Sequence, residues 1–128
     1  MRKKSLPPPV AVGHVILRVS DVGESERFYL SLGLRPIESR PFMAILEMRG
    51  GTHLMLFKAR RKPSRGAAPA FDFMVDDVRA FRTSLKKAGI RGTGLGYDRV
   101  SGHHAFRITD PDGHVLSVYS SHTGGRPV

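Results

Sequence analysis

A chain of 128 residues with no cysteine and a formal net charge of +10 has the length of one domain with a real core, and it excludes disulfide frameworks and thiolate chemistry. No apolar run approaches the roughly 20 residues that span a bilayer, and no apolar stretch follows the basic start, so neither a membrane partner nor a secretory signal is expected. Eight of the 21 Lys and Arg residues sit in two acid-free segments, Arg2–Lys4 and Lys58–Arg65, leaving 13 basic against 11 acidic residues elsewhere. The excess charge is thus assigned to mobile segments rather than a folded basic face. With no aromatic residues interleaved for base stacking, no specific nucleic-acid partner is expected. The compartment these features suggest is a reducing cytoplasm.

In chain order, residues 1–10 read as a flexible basic arm, because Pro7-Pro8-Pro9 neither continues a helix nor donates to a sheet. A strand follows over Gly13–Val19, with Val15, Leu17 and Val19 on one face and His14, Ile16 and Arg18 on the other. Ser20-Asp21 supplies helix caps, Ser25, Phe28, Tyr29 and Leu32 make one helical stripe, and Gly33 ends it. Strands are expected at about Arg35–Ser39, Met43–Met48 and His53–Phe57, with Gly50-Gly51 turning between the last two.

The stretch from Lys58 to Pro69 reads as a basic surface linker. The order then repeats. Phe71–Val75 alternates as a strand, and Asp76-Asp77 caps a helix with the stripe Val78, Phe81, Leu85 and Ala88. Gly89 ends that helix, a Gly-rich variable stretch follows, and strands close at His103–Thr109 and Val115–Tyr119. Asp77-Val78 and Gly89 lie 56 residues after Asp21-Val22 and Gly33, which makes this an internal repeat. Between the last two strands, Asp110-Pro111-Asp112-Gly113 carries tight-turn chemistry, with Asp112 expected to bond its own backbone. The fold class is α+β, two βαβββ modules in a single domain over residues 11–122. Module 1 spans about 12–57, the linker 58–69, module 2 about 70–122, and a tail 123–128.

The stretches GHVILRVSDVGESERFYLSLGL, FDFMVDDVRAFRTSLKKAGI and FRITDPDGHVLSVYSSH resemble the vicinal oxygen chelate superfamily, which includes glyoxalase I, extradiol dioxygenases and bleomycin-resistance proteins. The resemblance spans roughly residues 12–122. It implies a curved mixed sheet around a cleft, of the glyoxalase/bleomycin resistance/dihydroxybiphenyl dioxygenase type, and a homodimer. In metal-using relatives the ligands come from the first and last strands of each module. Those positions are His14, Met55, Ala70 and Ser117 here. Only His14 is a good ligand for a divalent ion, so no cofactor is expected; the metal alternative is a displaced set such as His14, His53 and Glu47.

The pleat gives an independent list of cleft-facing side chains: His14, Arg18, Glu47, His53, Met55, Phe57, Asp72, Met74, His103, Arg107, Ser117 and Tyr119. A core would exclude charges such as Arg18, Glu47, Asp72 and Arg107, whereas a solvated cleft accommodates them, either lining it as ion pairs or holding a ligand. His104, on the packing parity, and His114, in the turn, are expected to contribute little. The favoured reading is small-molecule binding or sequestration without metal, as in bleomycin-resistance proteins. The alternatives are a lyase, isomerase or dioxygenase around His14, metal-free acid–base chemistry by His14 or His53 with Glu47 or Asp72, and a dimeric module with a vestigial cleft.

Overall fold

The computed structural model of the chain describes residues 6–122; the expected tail 123–128 and the first five residues of the arm lie outside the described residues. Module 1 comprises β1 (His14–Val19), α1 (Val22–Ser31), β2 (Arg35–Arg40), β3 (Met43–Glu47) and β4 (His53–Lys58). Module 2 comprises β5 (Phe73–Val75), α2 (Val78–Lys87), β6 (Gly96–Tyr97), β7 (His104–Thr109) and β8 (Val115–Ser120). The strands form two four-stranded mixed sheets, ordered β1-β4-β3-β2 and β5-β8-β7-β6. In each, the first strand of the module runs parallel to the last, and the hairpin strands are antiparallel.

The helices begin and end as their sequences dictate. The Asp21 side chain accepts from the Glu24 amide at 3.0 Å, and the Asp77 side chain accepts from the Ala80 amide at 3.0 Å. Both are N-caps satisfying an amide that the helix itself leaves without a partner. Gly33 and Gly89 stop the helices at φ 106° and 85°, a region costly to any residue with a Cβ. Some details differ from expectation. The fifth strand starts at Phe73 rather than Phe71. Ala88 is exposed, as the C-cap of a second helix that ends at Lys87.

One face of each sheet packs under its helix. Leu17, Val19, Leu46, Leu54 and Leu56 from module 1 join Phe106, Ile108, Leu116 and Val118 from module 2 in one continuous buried cluster, with Val22, Tyr29, Val78 and Leu85 from the helices. Burying a side chain of this size contributes about 1.5–3 kcal/mol.

A buried polar knot locks the two modules together. Tyr29 Oη donates to Asp110 Oδ2 at 2.7 Å, and His114 Nδ1 lies 2.8 Å from the same oxygen. Asp110 Oδ1 accepts the amides of Asp112 and His114 at 3.0 and 2.8 Å. Asp112 Oδ2 accepts the Ser20 amide at 2.9 Å, across the module boundary. The expected role of Asp112 is therefore corrected: Asp110 bonds the turn backbone, and Asp112 reaches the other module. His114 is likewise a buried partner of Asp110, not a bystander in the turn. Burial, then the neighbouring Asp110 charge, pushes the Tyr29 hydroxyl well above its ordinary pKa and keeps it a donor.

The linker is tied down as well, which corrects the expectation of mobility. The Ala59 amide donates to Val19 O at 2.8 Å, Gly66 to Gly113 O at 2.7 Å, and Val115 to Ala67 O at 3.0 Å. Gly113, at φ 84°, has no room for a Cβ because Arg65 lies over it, so the glycine serves both the turn and this contact.

Candidate functional site

The face of the first sheet away from its helix is built in three cross-strand rows, because paired residues in neighbouring strands project on the same side. The first row is His14, His53, Glu47 and Arg35; the second is Ile16, Met55, Ile45 and Glu38; the third is Arg18, Phe57, Met43 and Arg40. Five apolar side chains, Ile16, Met55, Ile45, Phe57 and Met43, thus occupy its centre. Polar groups lie at both ends and along the outer strand.

The charges on this face are unequally matched. Arg35 Nε meets Glu47 Oε1 at 3.1 Å, and Arg40 meets Glu38 at 3.3 Å. Arg18 instead lies over the Phe57 ring, 5.7 Å from its centroid. The alternative in which Arg18 or Arg107 pairs with Glu47 or Asp72 is not what forms: Glu47 is held by Arg35, and no such pair occurs among the described residues. The His14 and His53 rings meet edge-on, with centroids 5.7 Å apart.

The corresponding face of the second sheet carries Met74, Tyr119 and Ala105 in one row and Ser117 with Arg107 in the next. His103 precedes this sheet's third strand, its ring 5.3 Å from Tyr119 and its Nδ1 2.6 Å from Ser120 O. The turn before it is closed by Asp98, whose carboxyl is held below its usual pKa by the Ser101 hydroxyl and the Val100 amide. His104 is exposed beside Tyr97, ring centroids 5.0 Å apart. Six of the cleft residues read from sequence, His14, Arg18, Glu47, His53, Met55 and Phe57, therefore share the first sheet's face. Met74, Arg107, Ser117 and Tyr119 share the second's, His103 adjoins it, and Asp72 is exposed just before it.

A groove of about 750 Å³ opens between the modules, lined by Leu34, Met48, Phe71, Phe73 and Phe81 among others. Arg35, Glu47 and Arg49 reach it from module 1, and Asp72 and Met74 from module 2. Arg49 Nη1 bridges to Asp76 Oδ1 at 3.1 Å, joining the modules on this side. The groove adjoins the first row of the module 1 face through Arg35 and Glu47. Sequence reasoning missed it, because it arises from how two modules dock. It also missed Arg35, Glu38 and Arg40 as face residues. All six residues of the second strand are exposed, and a register shift between Pro36 and Glu38 removes any alternation that would betray their direction.

Two modules of one strand, a capped helix and three strands, each presenting one sheet face away from its helix, define a paired-module cleft protein. The comparisons place it. Residues 11–118 match the model of the Glyoxalase/Bleomycin resistance protein/Dioxygenase superfamily, and the chain belongs to that family. Among solved structures it is similar to lactoylglutathione lyase from Agrobacterium tumefaciens, at 23% identity and TM-score 0.73, covering 94% of this chain and 100% of that one. It is also similar to a glyoxalase/bleomycin resistance protein/dioxygenase from Alicyclobacillus acidocaldarius, at 20% identity and TM-score 0.72, covering 91% and 96%. The protein SMU.1112c is 31% identical, with TM-score 0.67, over 88% of this chain and 100% of that one. No curated protein matches the chain.

The metal that the resemblance implies can be tested against the donors present. Ala70 has no ligand atom, Met55 offers only a thioether, and Ser117 a hydroxyl. In the displaced alternative, Glu47 is engaged by Arg35. Among the described residues no three His, Asp or Glu side chains are grouped so that they could hold a metal ion. The residues do not fit the group.

Proposed function

We propose that the protein binds or sequesters a small organic molecule without a metal, in the manner of the bleomycin-resistance branch of its family, on the module 1 face. The observation that carries this reading is the composition of that face: an apolar centre of five side chains bordered by Arg18, His14 and His53. Methionines at Met43 and Met55 give such a wall adaptability. Domain limits follow the sequence reading, with one binding domain over 11–122 between a basic arm and a short tail, in a cytoplasmic protein.

The face is completed by a second copy of the chain. Ile16 is 54% exposed and Met74 48%, and pairing of the two module faces between copies removes both from water. Sedimentation equilibrium tests this part, with a dimer expected and a monomer at all concentrations against it.

The alternative, a lyase, isomerase or dioxygenase, draws support from the proximity of His14 and His53. Thermal melts against a small-molecule panel, with and without a chelator, separate the two. On the binding reading a ligand raises Tm equally in both; at 100 times its dissociation constant it adds about 2.7 kcal/mol. A stabilisation abolished by chelator supports the metalloenzyme.

A further inference from the structure

We propose, resting on that binding reading, that the module 1 face is selective for an elongated organic anion, with a carboxylate at Arg18 and a second oxygen acceptor at His14 and His53. Three observations carry it. First, charge matching leaves the face cationic. Arg35 and Arg40 are each held by a carboxylate, whereas Arg18 has no carboxylate partner among the described residues. Its contact with Phe57 places the guanidinium over the ring without consuming its N–H donors, and a planar fork suits a carboxylate.

Second, the polar groups stand at opposite ends of the apolar centre. His14 and Arg18 are four residues apart on one strand, as are His53 and Phe57 on its neighbour, which separates the two ends by about 13 Å at ~3.3 Å per residue. The ligand's apolar body is correspondingly long. Third, the apolar row between the ends is continuous across three strands through Ile16, Met55 and Ile45. A compact, fully polar anion would leave that row without an apolar partner, and an organic cation would face Arg18.

Calorimetric titration with decanedioate, decanoate, decanol and decylammonium tests this on the full chain, at concentrations below micelle formation. Decanedioate should bind tightest, decanoate less tightly, and decylammonium least. Arg18→Gln should weaken both acids at least tenfold, with Arg18→Lys intermediate. The double variant His14→Ala/His53→Ala, which removes both ring donors, should weaken the diacid and leave decanoate nearly unchanged. These positions are exposed or half-buried, and an unchanged Tm verifies that each variant folds. Equal acid affinity in Arg18→Gln, or tighter binding of decylammonium, overturns the proposal. Loss of acid binding in Phe81→Ala with retention in Arg18→Gln moves the ligand to the inter-module groove, overturning this assignment but not the binding reading. If none of the four probes binds, this assignment fails, while the binding reading is decided by the thermal melts against the wider small-molecule panel.

Discussion

The two seams between the modules occupy equivalent places in the repeat and are built in opposite ways. At one, the turn after the seventh strand docks on the first helix through a buried carboxylate with four donors. At the other, the turn after the third strand faces the second helix across an open groove, bridged by an exposed ion pair, Arg49 to Asp76. The repeat offset shows what differs. Ser20 and Asp76 are equivalent, and each bonds the facing turn. Tyr29, whose hydroxyl reaches Asp110, has Leu85 as its counterpart, which has no polar atom to offer. Ser25, buried and small, has Phe81 as its counterpart, and a phenyl ring at that position lines the gap. One seam is thus specialised for rigidity, and the other leaves space beside the ligand face.

Mutations should break this contrast in a fixed order. Asp110→Ala leaves Tyr29, His114 and two amides without their acceptor and should cost about 3–5 kcal/mol, the scale of a broken buried pair. In a chain of this size, that lowers Tm by more than about 10 °C. Tyr29→Phe removes one donor to a buried charge and should cost about 1.5–3 kcal/mol, measured by urea unfolding at neutral pH.

The same substitution sharpens the comparison at alkaline pH. The Tyr29 hydroxyl is raised above its ordinary value of 10.0 in the folded chain. The unfolded chain therefore loses that proton first, and the stabilisation is complete below about pH 10 and declines as pH rises further. Wild type should lose stability faster than Tyr29→Phe above pH 10; parallel curves would show that this hydroxyl is not held by Asp110. The smallest effect belongs to the open seam. Asp76→Ala should cost no more than about 1 kcal/mol, as for exposed ion pairs in general. A loss comparable to Asp110→Ala would mean the two seams are equally structural.

The contrast also marks what the sequence made legible. Strand and helix order, caps and stop glycines followed from local chemistry, and the pleat placed His14, Arg18, Glu47, His53, Met55 and Phe57 on one face because their neighbours alternate as apolar residues. The knot was half legible. The Asp110-Pro111-Asp112-Gly113 turn announced itself, but the partner of Asp110 lies 81 residues away, and no local spacing encodes that. The second strand was illegible in direction, since exposure along its length and a register shift erase the alternation. The groove was illegible altogether, being a property of module docking.

The central claim is that this member of the family has kept its fold and ligand face without the family's metal chemistry. Metal content of protein purified without chelator or metal-affinity resin, measured by mass spectrometry beside His14→Ala, tests it most directly. The account predicts far less than one equivalent of any divalent metal in both proteins. One equivalent in the wild type that disappears in His14→Ala would contradict it.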